Sequence, residues 1–221
     1  MAETPPGILA IWNNCAPGRE AEFEEWFQHE HLAERLAVPG FLLGRRHEAL
    51  SDAQPRYFNY YLTQSVEVLK SVPYLERLNN PTPMTHRAMS EIFRDMIRTA
   101  CRQTLRLGAM RGSVSVTARF GTDVDVRELQ DTLRTLMTNR AVACGEVWTA
   151  ADASEFPVAE EERLRGGDRR IGACLIFDVL RPADAETITA DLVRRFPGAA
   201  VGTYRLLCEV RPAVTPRPSP P

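Results

Sequence analysis

Lysine is almost absent. Lys70 is the only one, against a pooled count of 27 lysines and arginines. Any lysine-based mechanism away from position 70 is therefore excluded, and the arginine excess reads as genome base composition. Long apolar runs are missing too: none approaches 18 residues, so no helix is expected to span a membrane. The opening Met1 to Gly7 has neither the basic segment nor the apolar core of a secretory signal, and the expected location is the cytoplasm. Paired cysteines are lacking. Cys15, Cys101, Cys144, Cys174 and Cys208 are odd in number and contain no Cys-x-x-Cys, which argues against a disulfide framework or a zinc ribbon. No Gly-rich phosphate loop and no Gly-x-Ser-x-Gly elbow occurs; Arg165-Gly166-Gly167-Asp168 is only a turn. Net charge is also small. Those 27 cationic residues face 29 Asp and Glu, a formal charge of -2, which gives no electrostatic reason to expect nucleic acid or anionic lipid as a partner.

What remains is globular. The 221 residues are 44% hydrophobic and 25% charged, enough for one large or two small domains. Residues 8–12 read as a strand, 19–36 as a helix stopped by Val38-Pro39-Gly40, and 41–49 and 57–63 as strands. Short helical pieces follow at 66–72 and 74–78, then a helix over 85–97 with Thr82 as its cap, then a strand within 99–110. The order is β-α-β-β-α-β. It recurs: strand 113–120, helix 124–137, strand 142–149, a long acidic loop 150–167, strand 170–180, helix 182–196, strand 203–210. The class is α+β, as two tandem ferredoxin-like units, 1–111 and 112–211, with a Pro-rich tail 212–221 expected to be disordered. Such a unit leaves one sheet face bare, so the two antiparallel sheets are expected to pack face to face. They would do so within one chain, a pseudo-dimeric monomer, or in a homodimer, with a pocket between them.

Candidate site residues concentrate in the first unit, which holds all four histidines and four of the five tyrosines. His31 lies one helical turn after Phe27 and one before Arg35, so it should face the sheet. Its titration range suits general acid–base work. The bland alternative is a helix-end cap held as imidazolium by the helix dipole. His29 projects elsewhere, so no metal-chelating pair arises, and no metal is expected. Arg45 and His47 share one strand face and Arg46 takes the other. An arginine between the sheets would need a carboxylate from the protein or from a ligand. Tyr57, Asn59 and Tyr61 form a polar-aromatic face suited to a pocket wall, and Phe58, Tyr60 and Leu62 a face suited to packing under helices. His86 follows a loop stiffened by Pro81 and Pro83; it is either poised over a pocket mouth or simply part of a helix entrance.

Residues 8–98 resemble the dimeric α+β barrel superfamily, and within it the small EthD-like proteins. Trp26, Glu30-His31, Arg35, Pro39-Gly40-Phe41, Arg46, Tyr57, Tyr61, Tyr74-Leu75, Asn80-Pro81-Thr82-Pro83 and Thr85 carry the resemblance. Where relatives often place a proline after the histidine, Ala33 stands, so the helix should run further. The resemblance implies an α+β barrel with a cavity between helices and sheet or inside the barrel, and a polar pocket residue at His31, with Arg46 and Tyr61 as weaker candidates. The activities known on this superfamily range from cofactor-free monooxygenation through isomerisation and decarboxylation to haem chemistry. The reading that follows is a cofactor-independent acid–base enzyme, lyase or isomerase in type. Its small substrate would be partly apolar and bear a carbonyl or carboxylate. His31 would move the proton, Arg45 or Arg46 hold an anionic oxygen, and Tyr57 or Tyr61 stabilise enolate charge, with Trp26, Arg35, Asn59, His47 and His86 around them. The alternatives are a non-catalytic small-molecule binding or assembly protein, a cofactor-free monooxygenase, and a haem-binding barrel.

Overall fold

The computed structural model describes residues 4–50 and 52–212. The tail expected at 212–221 lies, beyond Pro212, outside the described residues. Eight strands close an antiparallel barrel within the single chain: β1 Gly7–Cys15, β2 Phe41–Ala49, β3 Tyr57–Thr63, β4 Phe93–Leu107, β5 Val114–Phe120, β6 Val142–Ala150, β7 Ala173–Val179 and β8 Ala200–Val210. Around the barrel the order is β1-β3-β2-β8-β5-β7-β6-β4. Each half therefore repeats one pattern, β4-β1-β3-β2 and then β8-β5-β7-β6. The halves join through β2–β8, from Gly44↔Val210 to Ala49↔Tyr204, and through β4–β6, from Cys101↔Ala150 to Leu107↔Gly145. This corrects the face-to-face expectation. The sheets meet edge to edge by backbone hydrogen bonds, which removes every free strand edge.

Closure gives every strand an inside and an outside, and period-2 alternation distributes the side chains between them. The inside is filled, not open. Trp12 stacks on Phe58 at 4.9 Å, His47 on Phe58 at 4.9 Å, and Tyr60 meets Trp148 edge-on at 5.1 Å. A buried polar net threads these rings. Arg45 donates to Asp178 Oδ2 (3.0 Å) and to the Gly112 carbonyl (2.8 Å), and Ser115 Oγ donates to Asp178 Oδ1 (2.6 Å). Glu146 accepts from Gln103 and Trp148, both at 2.7 Å, and pairs with Arg111.

The outer wall is covered by helices. Over the first half lie α1, α2 and α3. Helix α1 comprises Glu20–Trp26, a π turn Phe27–His31 and Leu32–Leu36; α2 is Val72–Asn79; α3 is Pro83–Arg87 continued by a π turn Ala88–Ile92. Glu20 and Glu22 favour the α1 N-terminus through the helix dipole, and Phe23, Trp26, Phe27, Leu32 and Leu36 form its buried stripe. The helix does run past Ala33 to Leu36. Thr82 caps α3 by accepting from the Thr85 amide at 3.0 Å, with Pro83 behind it. That helix stops at Ile92, short of the expected 97: Phe93 is already extended, and β4 begins there to pair with Cys15.

Over the second half lie α4, Val126–Leu136, and α6, Pro182–Arg195. Leu129, Leu133, Ile188 and Leu192 pack there on Val114, Val116, Leu175 and Phe177. The approach of α4 is close enough that a Cβ on Gly145 would fall 2.4 Å from Leu133 Cδ1. The β6–β7 connection, residues 151–172, carries a short helix α5, Glu160–Leu164, and reaches back over the first half. No helix among the described residues is long and apolar enough to cross a membrane.

Replacing Asp178 by Ala should be severely destabilising, by about 3–5 kcal/mol, because it removes the fully buried carboxylate that Arg45 faces and leaves only the partly exposed Glu209 at 3.4 Å. Urea unfolding of D178A against the wild type measures this; a loss under about 1 kcal/mol would show that Arg45 is not held as described.

Candidate functional site

Tyr57 and Tyr61 face outward beneath α1, and Phe58 and Tyr60 face into the barrel. The face expected to pack under helices is thus the barrel interior, and the polar-aromatic face is the one the helices cover. The cavity follows suit. It lies between the helical layer and the outer wall of the barrel rather than between two sheets.

His31 is its centre. The ring is buried, its centroid 4.2 Å from that of Trp26 with the planes tilted by 31°, and the edges of Phe27 at 5.2 Å and Tyr61 at 6.3 Å stand around it. The π turn that ends at His31 places Phe27 and His31 on the same sheet-facing side while α1 continues. A chain of contacts fixes the ring. Glu30 accepts from Thr82 and Thr85 hydroxyls, both at 2.6 Å; Thr85 Oγ1 accepts from Trp26 Nε1 at 3.0 Å; and Trp26 packs against His31. His31 does not stand at a helix end, since α1 continues past it to Leu36. Burial, with the Arg35, Arg165, Arg46 and Arg98 charges, holds the His31 pKa well below the usual imidazole value, so the ring is neutral.

Around His31 stand groups with unused hydrogen-bonding capacity. His31 Nδ1, Tyr61 Oη and Arg35 Nη1 are buried without partners among the described residues. Burial raises the Tyr61 pKa, leaving a neutral hydroxyl donor. Arg35, fully buried, pairs through Nη2 with Glu161 of α5 and lies 5.9 Å from the Tyr74 ring. Arg98 on β4 donates to Tyr74 Oη at 2.7 Å. Arg165 is held by Asp168 through Nε (3.0 Å) and Nη2 (2.8 Å). Leu9, Ile11, Phe93 and Met96 supply the apolar wall. The free volume is about 30 Å³, with an adjoining void of about 20 Å³ sharing Leu78, Arg98 and Glu161. That is room for ordered water only. The wider groove along Ala33–Phe41 and Val210–Pro212 collects no titratable cluster.

The structure therefore brings together His31, Arg35 and Tyr61, with Trp26 behind them. It sets the other candidates apart. Arg46 lies behind Phe27, its guanidinium 3.9 Å from that ring and bidentate on Glu24 at 2.8 and 3.0 Å. Arg45 and His47 belong to the barrel interior, where burial pushes the His47 pKa down to about 3 and its Nδ1 donates to the Phe58 carbonyl. Tyr57 packs on Phe23 at 4.9 Å, Asn59 donates to Asn13 Oδ1 at 3.2 Å, and His86 is exposed. Sequence reasoning missed Arg98, Tyr74, Glu161 and Arg165. A period-2 reading of Met96, Arg98 and Ala100 would have put Arg98 on the covered face, and Glu161 and Arg165 stand at helical i, i+4 spacing.

No family model matches the chain, and no curated protein matches it. Solved structures do match over nearly its whole length. An anthrone oxidase-like protein aligns with a TM-score of 0.65 at 12% identity, covering 95% of this chain and 94% of that one. A proposed monooxygenase of Fusobacterium nucleatum aligns at 0.56 and 8%, covering 95% and 96%. A chlorite dismutase of Candidatus Nitrospira defluvii aligns at 0.51 and 8%, covering 92% of each. The shared feature is the α+β barrel fold. Haem, considered from the sequence, does not fit these residues: the imidazole that lines the cavity is hemmed in by the rings of Trp26, Phe27 and Tyr61, and the second half holds no histidine.

Both buried histidines should make stability fall with acid. Their folded pKa values lie below the unfolded value of about 6.5, so the unfolded chain binds the extra protons; stability is complete above that pH and is lost as pH falls through it. Each histidine contributes up to about 1.4 kcal/mol per pH unit between roughly pH 6 and pH 4.5. Denaturation at several pH values should show His31→Gln removing about half of that slope; an unchanged slope would mean His31 titrates normally.

Proposed function

We propose that the chain is a cofactor-independent enzyme that abstracts a proton from an activated carbon of a small, partly apolar, anionic substrate bound between α1 and the barrel wall. The observation that carries this reading is the convergence on one cavity of a neutral imidazole, a phenol and a guanidinium, each with an unsatisfied polar atom. His31 accepts the proton. The negative charge that develops on the substrate oxygen is stabilised by the Tyr61 hydroxyl and Arg35 Nη1, with Arg98 beside them. Arg35 and Arg98 take the place that Arg45 or Arg46 held in the sequence reading, and Tyr61 alone that of Tyr57 or Tyr61. A substrate anion also offsets the arginine charges that depress His31, so binding raises the basicity of the imidazole when it is needed.

Return of the proton to a second carbon completes an isomerisation, and its delivery to a departing group a lyase reaction. Capture of the carbanion by dioxygen is the corresponding monooxygenase reading. The apolar wall of Phe27, Phe93 and Met96 and the barrel shared with oxidase and monooxygenase structures favour it as the alternative. The two halves read as ferredoxin-like units, 1–111 and 112–211, and the kinship as EthD-like, on the Trp26, Glu30-His31 and Thr85 set now seen as one contact chain. The acting species is a single cytoplasmic chain, since both walls of the cavity come from it; a homodimer is not needed to complete the site.

Solvent deuterium incorporation into a panel of β-dicarbonyl acids, followed by proton NMR, tests this. The wild type should exchange the activated position, and His31→Gln should lose about 100-fold or more while unfolding normally at neutral pH. Equal exchange by both would remove His31 from the chemistry. Oxygen uptake with the same panel separates the monooxygenase outcome.

A further inference from the structure

The cavity is shut. Its polar atoms are unpartnered, yet its free volume admits only water, so some wall must yield before a substrate enters. The barrel strands and α1 are fixed by the aromatic core. The arm between β6 and β7 contributes less to it: Ala151, Ala159 and the partly buried Phe156 and Leu164. Its attachments to the neighbouring helical segments are surface contacts, Glu155 to Lys70 (2.7 Å) and the Glu160 amide to Asn79 Oδ1 (3.1 Å), while Glu162 bonds to Arg170 within the arm itself (2.9 Å). It ends at Gly166 and Gly167, with φ of +80° and +100° and open space where a Cβ would stand.

What the arm inserts is a carboxylate. Glu161 is buried and bonded to Arg35, beside the unused Arg35 Nη1. Its other oxygen already faces a second guanidinium, Arg165 Nη1, at 3.8 Å. Asp168 occupies the Nε and Nη2 edge of Arg165, while Nη1 rests on Met89 Sδ at 2.9 Å, a weak acceptor. Glu161 therefore has two berths a short side-chain rotation apart. Leaving the first would open a fork of two guanidinium nitrogens on Arg35, the geometry that suits a planar carboxylate. The walls beside that fork, Leu9, Ile11 and Phe93, are apolar.

We propose that Glu161 is a resident stand-in for the substrate's carboxylate and that the cavity takes apolar carboxylic acids, whose carboxylate displaces Glu161 from Arg35 to Arg165 as the arm loosens about Gly166–Gly167. This rests on the cavity reading above and adds to it the substrate class and the way in. The charge logic is consistent. With Glu161 on Arg165, Arg35 and Arg98 keep no protein carboxylate at hydrogen-bonding distance among the described residues, and an incoming carboxylate restores the balance.

Calorimetric titration with benzoate, and with benzamide as its uncharged isostere, tests the exchange without turnover. Glu161→Gln removes the internal competitor, so benzoate should bind about tenfold tighter than to the wild type, with benzamide unchanged. In the unsubstituted protein, amide hydrogen exchange across 158–166 should rise on saturation with benzoate and not with benzamide, a readout that stands even where E161Q fails to fold. Benzoate binding no tighter to folded E161Q, or benzoate binding with the arm's exchange unchanged, overturns the proposal. Neither result touches the deuterium incorporation that tests His31. Loss of that incorporation with the benzoate effects intact would instead remove the catalytic reading and leave the carboxylate site standing.

Discussion

Closure of the barrel is the constraint from which the rest follows. Once β2 bonds to β8 and β4 to β6, no strand keeps a free edge, and every side chain on eight strands must go either inside the ring or under a helix. The inside is too narrow to stay open and fills with Trp12, Phe58, Tyr60, Trp148 and Tyr204. A site in the first half is therefore forced outward, into the layer between barrel and helices. The second half shows what that layer looks like when packing is complete: Leu, Val, Ile and Phe meet α4 and α6, and Gly145 lets Leu133 approach closely. The first half has the same architecture with a histidine, three tyrosines and arginines in the layer instead.

Position there depends on a relay of ordinary contacts. Glu30 on α1 holds the two threonines of α3; one of them holds Trp26; and Trp26 is the ring against which His31 packs. The π turn at 27–31 makes this possible. It admits an extra residue to the turn, so Phe27 and His31 both reach the barrel wall before the helix resumes toward Arg35. Residues that look like a loose motif in the chain are thus one mechanical device.

Much of this was legible in the sequence. The strands, the repeated element order and the stop at Pro39-Gly40 follow from periodicity and backbone chemistry, and His31 could be placed toward the sheet from its spacing to Phe27. Which face of β3 met the helices could not be read, because both faces are aromatic and both are buried; alternation carries a direction only when one side meets water. Arg98 was hidden by the run from Met89 to Ile97, which suits a helix as well as a strand until Cys15 claims Phe93 as its partner. Glu161 was hidden by distance. It meets Arg35 across 126 positions of chain, from a segment whose local composition reads as a solvated acidic loop.

The contrast between two polar clusters in the same half argues for where chemistry belongs. The barrel interior holds Arg45, His47 and Tyr60, and the outer cavity holds Arg35, His31 and Tyr61: the same three residue types, buried alike. In the interior each of the three is bonded to the protein, although Arg45 Nε, like Trp12 Nε1, makes no hydrogen bond among the described residues. Arg45 meets Asp178, Tyr60 and a backbone carbonyl, with Nε 3.4 Å from Glu209, and His47 donates to Phe58. Such a net fixes one packing of the core. In the outer cavity, imidazole, phenol and guanidinium each retain a buried atom without a partner, and each such atom costs about 1–3 kcal/mol relative to a satisfied one. The difference between the clusters lies at the imidazole and the phenol: His47 and Tyr60 are bonded within the protein, whereas His31 Nδ1 and Tyr61 Oη line the outer cavity unpartnered, and binding capacity is kept there.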